Sequence, residues 1–381
     1  MREVVIVDAV RTAFGRKNGS LKDVRPDDLL AGVLQELVRR NPLDGAPVDD
    51  VIVGCVTQIE EQGWNVARLA SLAAGLPVQV PATTINRMCG SGQQGAHFAA
   101  QAILAGDMEI VVAAGVESMS RVKMGSDGKD FSPALTKKYD LVWQGISAEM
   151  MASKWKLSRQ ELDEFSLESH HRALNAIRSG FFRKEIMPVP VTGDGGEAKM
   201  FEADEGPRAD TSLEKLSALA PAFREDGVIT AGNSSQISDG AAALLLMAKE
   251  KAEQLGLKPR ARMVARAVVG SDPVLMLDGV IPATRKVLER AGLSASDIDV
   301  FEINEAFASV VLAWAQEIKA DMSRVNANGG AIALGHPLGA TGCRLMGAIV
   351  NELERRDRRW GLQTMCIGHG MATATVIERL S

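Results

Sequence analysis

The chain has 381 residues, 46% of them hydrophobic, 24% charged and 4% aromatic, a balance that excludes disordered and fibrous classes. Its 43 basic and 48 acidic residues leave a net charge of −5 with no basic stretch able to track a phosphate backbone, which excludes nucleic-acid binding on electrostatic grounds. Apolar runs such as Ala241–Ala248 are far shorter than the roughly 20 residues a bilayer requires.

The start, MREVVIVDAVRT, carries charge at Arg2, Glu3 and Asp8 and reads as neither a signal nor a transit peptide, so a cytoplasmic location is expected. Short apolar runs at Val4–Val7, Val51–Val56, Ile110–Gly115, Val300–Ile303 and Thr373–Ile377 predict strands. Between them, Leu30, Val33, Leu34 and Leu37 follow the i, i+3, i+4, i+7 spacing of one helix face. Ala96, Ala99, Ala100 and Ile103 repeat it, as do Met346, Ile349, Val350 and Leu353. Such alternation predicts an α/β protein with helices covering a largely parallel sheet.

The two ends of the chain have matching order. In front, a helix over Asp27–Arg40 leads into DDVIVGCV, CGSG opens a helix, and a strand follows at Ile110. Behind, a helix over Pro282–Ala291 leads into SDIDVFEI, GHPLGATG opens a helix, and a strand follows at Leu362. This predicts an internal duplication whose loops face a shared cleft. The middle breaks the rhythm with a Gly-containing loop (Gly125–Lys138) and a charged helix (Ser158–Arg178), as an inserted lid or binding domain would. The expected division is 1–117 plus about 240–257 as one half, 118–239 as the inserted loop domain, and 258–381 as the other half.

The cysteines are Cys55, Cys89, Cys343 and Cys366, widely spaced and without a CxxC pair. That pattern argues against zinc and against a disulfide framework, and adjacent His170 and His171 would point apart on a helix, so no metal is expected. Cys55, inside a strand, and Cys343, near a helix start, read as core residues. Cys89 stands in NRMCGSG immediately before a helix, where the positive end of the dipole favours thiolate and Gly90 lets backbone N–H groups approach a carbonyl oxygen. His336, between Gly335 and Pro337 in ALGHPLGATG, has no apolar face to fill and suits a base. Cys366 ends a strand and precedes Gly368, His369 and Gly370. Asn304 follows VFEI, and its bland reading is a helix N-cap.

Two cysteines and one histidine at glycine-lined turns suit acyl transfer with chemistry at the carbon beside a thioester. Cys89 would form the thioester and Cys366 would move a proton on that carbon. Both steps create an oxyanion, so two donor sets are expected: backbone N–H groups near Cys89 and Gly368, and Asn304 with His336.

These residues lie in motifs that resemble the thiolase family over essentially the whole chain: VVIVDAVRTAFG, NRMCGSG, AGNSSQISDGAAA, PATRKVLERAG, NEAFA, NGGAIALGHPLGATG and TMCIGHG. The resemblance implies a thiolase fold, a duplicated five-layered αβαβα core with an inserted loop domain, assembled as a homodimer or homotetramer. It implies that Cys89 carries the acyl group, that His336 activates it, and that Cys366 exchanges the α-proton. Asn304 would support one oxyanion site through a water, and the N–H groups of Cys89 and Gly368 the other. Coenzyme A and acyl-CoA are the implied substrates, with no covalently bound cofactor, and Ser235 is the expected pantetheine contact.

Biosynthetic members carry a His-Met pair before the Gly-x-[ST]-Ala-Glu segment, whereas Trp143 and Gln144 precede GISAE here. The bulkier His369 between Gly368 and Gly370 likewise resembles the β-oxidation 3-ketoacyl-CoA thiolases, for which a partner with hydratase and dehydrogenase activities is conceivable. Ala220 stands where biosynthetic members place an arginine for a coenzyme A phosphate, leaving Arg208 and Arg224 as substitutes, and LDGV at Leu277–Val280 alters the approach to PATRKVL. The alternatives are a biosynthetic acetyl-CoA acetyltransferase, a cysteine-dependent hydrolase using Cys89, His336 and Asn304, and an acyl-CoA-binding scaffold.

Overall fold

Two runs of six elements occupy the same relative places in space. The computed structural model describes residues 2–193 and 195–380. The first run is β1 (Val4–Thr12), α1 (Pro26–Arg40), β2 (Asp50–Gly54), an added edge strand β3 (Ala82–Ile85), α2 (Ser91–Ala105), β4 (Ile110–Ser118) and β5 (Ser238–Ala248). The second is β6 (Ala261–Gly270), α3 (Val280–Ala291), β7 (Val300–Ile303), α4 (Leu338–Arg356), β8 (Trp360–Ile367) and β9 (Met371–Arg379). The strands lie in the order β7-β8-β9-β6-β1-β5-β4-β2-β3, so each run places its strands in one pattern. The runs join where β1 meets β6, with Val5 opposite Arg262 and Ile6 opposite Ala261.

The sheet is mixed rather than largely parallel. β2 pairs with β4, and β7 with β8, in parallel. β5 runs antiparallel to β1 and β4, and β9 antiparallel to β6 and β8. The apolar run of β5 concealed this: all its residues are buried, so it lacks the alternation of a half-exposed strand.

Three apolar cores make the layers. Leu30, Val33, Leu34 and Leu37 of α1 pack on one outer face. Ala96, Ala99, Ala100 and Ile103 of α2 and Met346, Ile349, Val350 and Leu353 of α4 share the core between the two halves of the sheet. Val287 of α3 and Trp314 of helix Ala308–Ile318 cover the other outer face. Helices and the two halves of the sheet thus stack in five alternating layers, the arrangement the resemblance implies.

β8 turns into β9 through Gly368-His369-Gly370 alone, whereas the corresponding connection from β4 to β5 carries the long middle segment. That segment holds the helix Arg159–Arg178, started by Ser158 and Glu161 in a reciprocal cap. The expected loop at Gly125–Lys138 contains a short helix, Pro133–Thr136. No helix among the described residues is long and apolar enough to cross a membrane.

Candidate active site

The two inner helices begin almost in contact, because glycine removes the side chains that would part them. A Cβ on Gly92 would lie 2.6 Å from the Gly339 oxygen, and one on Gly342 would lie 2.2 Å from the Gln93 nitrogen. Buried Glu117, at the end of β4, ties the same loops together. Its carboxylate accepts from the N–H groups of Val56 (3.0 Å), Thr57 (3.0 Å) and Gly339 (2.9 Å), the last lying on the other half.

Cys89 follows Met88, whose φ of 45° is left-handed and costs energy for a non-glycine residue. Asn86 Oδ1 accepts from the Met88 N–H at 2.7 Å, and the Ser91 hydroxyl donates to the Met88 carbonyl at 2.6 Å, holding the turn. Burial pushes the Cys89 thiol up to about 11, although the N–H groups of Gly368 and of Cys89 itself pull the other way. The helix N-terminus therefore does not give a resting thiolate: desolvation outweighs it.

His336 is buried, and its Nδ1 lies 2.7 Å from Thr341 Oγ1. The Thr341 hydroxyl donates to the Pro337 carbonyl at 2.9 Å, so it accepts the Nδ1 proton. Nε2 then carries the free lone pair and accepts from Asn304 Nδ2 at 3.2 Å. Burial lowers the His336 pKa to about 4, leaving a neutral imidazole with a basic nitrogen at the site.

Asn304 is not an N-cap. The following helix starts at Ala308 after Phe307, the Asn304 N–H donates to the Thr364 carbonyl at 3.1 Å, and the side chain turns to His336 instead. Its Oδ1 is buried and accepts no hydrogen bond among the described residues. Cys366 lies at the end of β8 close enough to Cys89 for their charges to couple. Burial and Cys89 push its thiol up, while the Asn304 amide and the Ala306 N–H pull it back. Cys89, Gly368, Cys366, Asn304 and His336 thus form one contiguous cluster drawn from both halves.

Ser235 reaches the same loop through its backbone, which donates to the Ala306 carbonyl at 2.9 Å. Gly368 faces Met88 and Gln144, and the His369 ring stands edge-on to Phe131 at 5.7 Å between centroids. LDGV packs beside GISAE, where Ser147 Oγ donates to the Leu275 carbonyl at 2.5 Å. Arg208 lines a cavity with Lys215, Leu219 and Gly232, whereas Arg224 pairs with Asp226 at 3.2 Å. Cys55 lies one residue past the end of β2, and both it and Cys343 are buried.

Sequence reasoning missed Thr341, Glu117 and Glu305. Glu305 is buried beside Asn304 and accepts from Ser169 Oγ (2.7 Å), Asn326 Nδ2 (2.8 Å) and the Ile332 N–H (3.2 Å). A carboxylate ending an apolar strand, as Glu117 does in AAGVES, was the available signal, since burial there demands several donors.

Comparison with known proteins places the chain in a family. The thiolase N-terminal domain model matches residues 4–250, and the thiolase C-terminal domain model matches residues 257–379. A steroid 3-ketoacyl-CoA thiolase of Mycobacterium tuberculosis is 49% identical, covering 100% of this chain and 95% of the relative. A 3-ketoacyl-CoA thiolase of Klebsiella pneumoniae is 48% identical with both chains covered at 100%. The crystal structure of the Bacillus anthracis acetyl-CoA acetyltransferase superposes with a TM-score of 0.92 at 41% identity, covering 100% of this chain and 99% of that one. The chain belongs to the thiolase family.

Proposed function

We propose that this thiolase works in the degradative direction, cleaving 3-ketoacyl-CoA with free coenzyme A to acetyl-CoA and a shortened acyl-CoA. The observation that carries the reading is the convergence of both thiols and a single basic imidazole nitrogen. The 3-ketoacyl-CoA names of relatives at 48% and 49% identity support the direction over the biosynthetic alternative.

The Cys89 proton passes to His336 Nε2 as the sulfur attacks the 3-keto carbon, and the N–H groups of Cys89 and Gly368 hold the resulting oxyanion. The bond between C2 and C3 breaks, leaving an acyl group on Cys89 and an acetyl-CoA enolate. Cys366 gives its proton to that carbon, and Asn304 with protonated His336 steadies the enolate oxygen. The thiol of the incoming coenzyme A returns a proton to Cys366, its sulfur attacks the acyl-Cys89, and the leaving Cys89 sulfur recovers the proton from His336. Each lost oxyanion donor costs about 3 kcal/mol of barrier.

Residues 1–117 with about 240–257 and residues 258–381 act as the two catalytic halves, and 118–239 as the coenzyme A-binding part. Ser235 meets the pantetheine arm, and Arg208 with Lys215 meets the phosphates, since Arg208 makes no ion pair among the described residues. A second copy docks along the edge strand β3, near which Trp64 is 90% exposed and Val78 67%.

Mass spectrometry after incubation with acetoacetyl-CoA tests the central step. An acyl adduct confined to the Cys89 peptide is expected, and an adduct elsewhere, or none, defeats the proposal.

A further inference from the structure

A polar seam runs between the halves directly beneath Cys89. Gln93, on the first turn of α2, reaches across to β9. Its Nε2 donates to Thr375 Oγ1 at 2.7 Å, and its Oε1 accepts from Thr373 Oγ1 at 2.7 Å. Thr375 Oγ1 also lies 2.7 Å from His97 Nε2, and all four side chains are buried. Thr373 and Thr375 alternate on one face of the strand, so a single amide holds two points along it. Such a grip fixes sliding along β9 as well as separation from it.

The seam abuts the site. A Cβ on Gly90, the residue after Cys89, would lie 2.3 Å from Ile367 Cδ1 and 3.4 Å from Thr373 Oγ1. Cys89 and Gly368 belong to different halves, so no local turn sets the distance between their N–H groups. That distance depends on how α2 lies against the hairpin of β8 and β9.

We propose that Gln93 is a positioning residue of the oxyanion site formed by the Cys89 and Gly368 N–H groups, an inference that rests on the thiolytic reading of that site. A hydrocarbon at 93 fills the space but lets the strand slide, which draws Gly368 away from the sulfur. An oxyanion donor displaced by a few tenths of an ångström loses part of what its removal loses outright.

Gln93→Leu alone strands the buried Thr373 hydroxyl, so it is paired with Gln93→Leu/Thr373→Val, which removes both partners of that bond, and in both variants Thr375 keeps His97. Three quantities are measured: kcat and KM for acetoacetyl-CoA thiolysis, the rate of Cys89 alkylation by iodoacetamide against pH, and Tm. Both variants should lose about tenfold or more in kcat with KM within about twofold. Because Gly368 recedes, alkylation at pH 8 should slow by about threefold or more. A folded double variant with wild-type kcat and alkylation profile overturns the proposal, as does a fall in Tm alone. If the native protein shows no thiolysis, the functional reading fails, and the alkylation profile still judges Gln93.

Discussion

His336 and Thr341 are joined, Nδ1 to Oγ1, at 2.7 Å, and that bond decides which imidazole nitrogen is basic. The Thr341 hydroxyl proton is committed to Pro337, so the imidazole proton must sit on Nδ1. Thr341→Val keeps the shape and removes the acceptor, stranding a buried N–H at a cost of about 1–3 kcal/mol. The ring then spends much of its time with the proton on Nε2, where it cannot take one from Cys89. Thiolysis should fall about 10- to 100-fold in kcat. Thr341→Ser, which restores the hydroxyl, should recover most of it, and steady-state kinetics on both variants decide the matter.

The same pair of groups sets a pH signature. The Cys89 thiol is pushed up to about 11 and His336 down to about 4. Between those values the free protein holds a neutral thiol beside a neutral imidazole. Alkylation of Cys89 by iodoacetamide should therefore climb about tenfold per pH unit from pH 6 to pH 10, tracking thiolate. A preformed thiolate–imidazolium pair gives instead a plateau over that range, and rates measured on the Cys89 peptide separate the two.

Much of this was legible from residue patterns because an outer helix such as α1 shows one apolar stripe. The spacing of Leu30, Val33, Leu34 and Leu37 has only one buried solution, and the structure adopts it. Cys89 and His336 stood out because glycine flanked them, and close packing demands it: a Cβ on Gly90 would lie 2.3 Å from Ile367 Cδ1, and one on Gly335 2.1 Å from Ser238 Oγ. The strand direction of β5 was not legible, since a run buried on both faces carries no period. The fate of Asn304 was equally hidden. An N-cap and a side chain turned inward share one local sequence, and only the long-range pull of Thr364 and His336 separates them. Gln93 is distant in sequence from Thr373 and Thr375, so nothing local announces their meeting.

The contact between the inner helices predicts a steric effect. On Gly92, a methyl would meet the Gly339 oxygen at 2.6 Å and the Cys343 nitrogen at 3.1 Å, both backbone atoms that cannot rotate aside. Gly92→Ala should cost about 1–3 kcal/mol of stability and lower kcat, because Cys89 and His336 each stand two residues before the start of these helices. Gly128→Ala, where a Cβ has nothing within 4 Å, serves as the control and should change stability by under about 0.5 kcal/mol. Urea unfolding of the two variants, run beside thiolysis assays, makes the comparison.

Arg11 secures the middle segment to the first strand. Its guanidinium pairs with Glu185 at 2.6 Å and grips Asp204 at 2.7 and 2.9 Å, all within the interior. Arg11→Met removes the cation and leaves two buried carboxylates without a counter-charge, Asp204 keeping the Phe14 N–H and Glu185 the Asn351 amide. A loss of about 3–5 kcal/mol is expected, larger than any surface ion pair gives. Asp204 also accepts from the Phe14 N–H at 2.7 Å, so the damage should extend to the chain after β1. Chemical denaturation checks the magnitude, and an unchanged midpoint would falsify the assignment.

Cys366 and Cys89 are neighbours, and the proposed reaction gives them separate duties that a single substitution tells apart. Acylation of Cys89 from an existing thioester needs His336 and the oxyanion donors but no proton movement on carbon. Breaking or forming the carbon–carbon bond does need it, and Cys366 is the group placed there, with Asn304 and the Ala306 N–H favouring its thiolate. Cys366→Ala should therefore exchange coenzyme A with acetyl-CoA within about tenfold of the native rate, while acetoacetyl-CoA thiolysis falls by about a thousandfold. Deuterium uptake at the acetyl methyl from heavy water should vanish with it. Cys89→Ala, in contrast, should lose the exchange and the thiolysis alike, because no acyl group can be held. If Cys366→Ala loses both activities equally, the two sulfur atoms do not divide the reaction as described, and the site's second thiol serves acylation too.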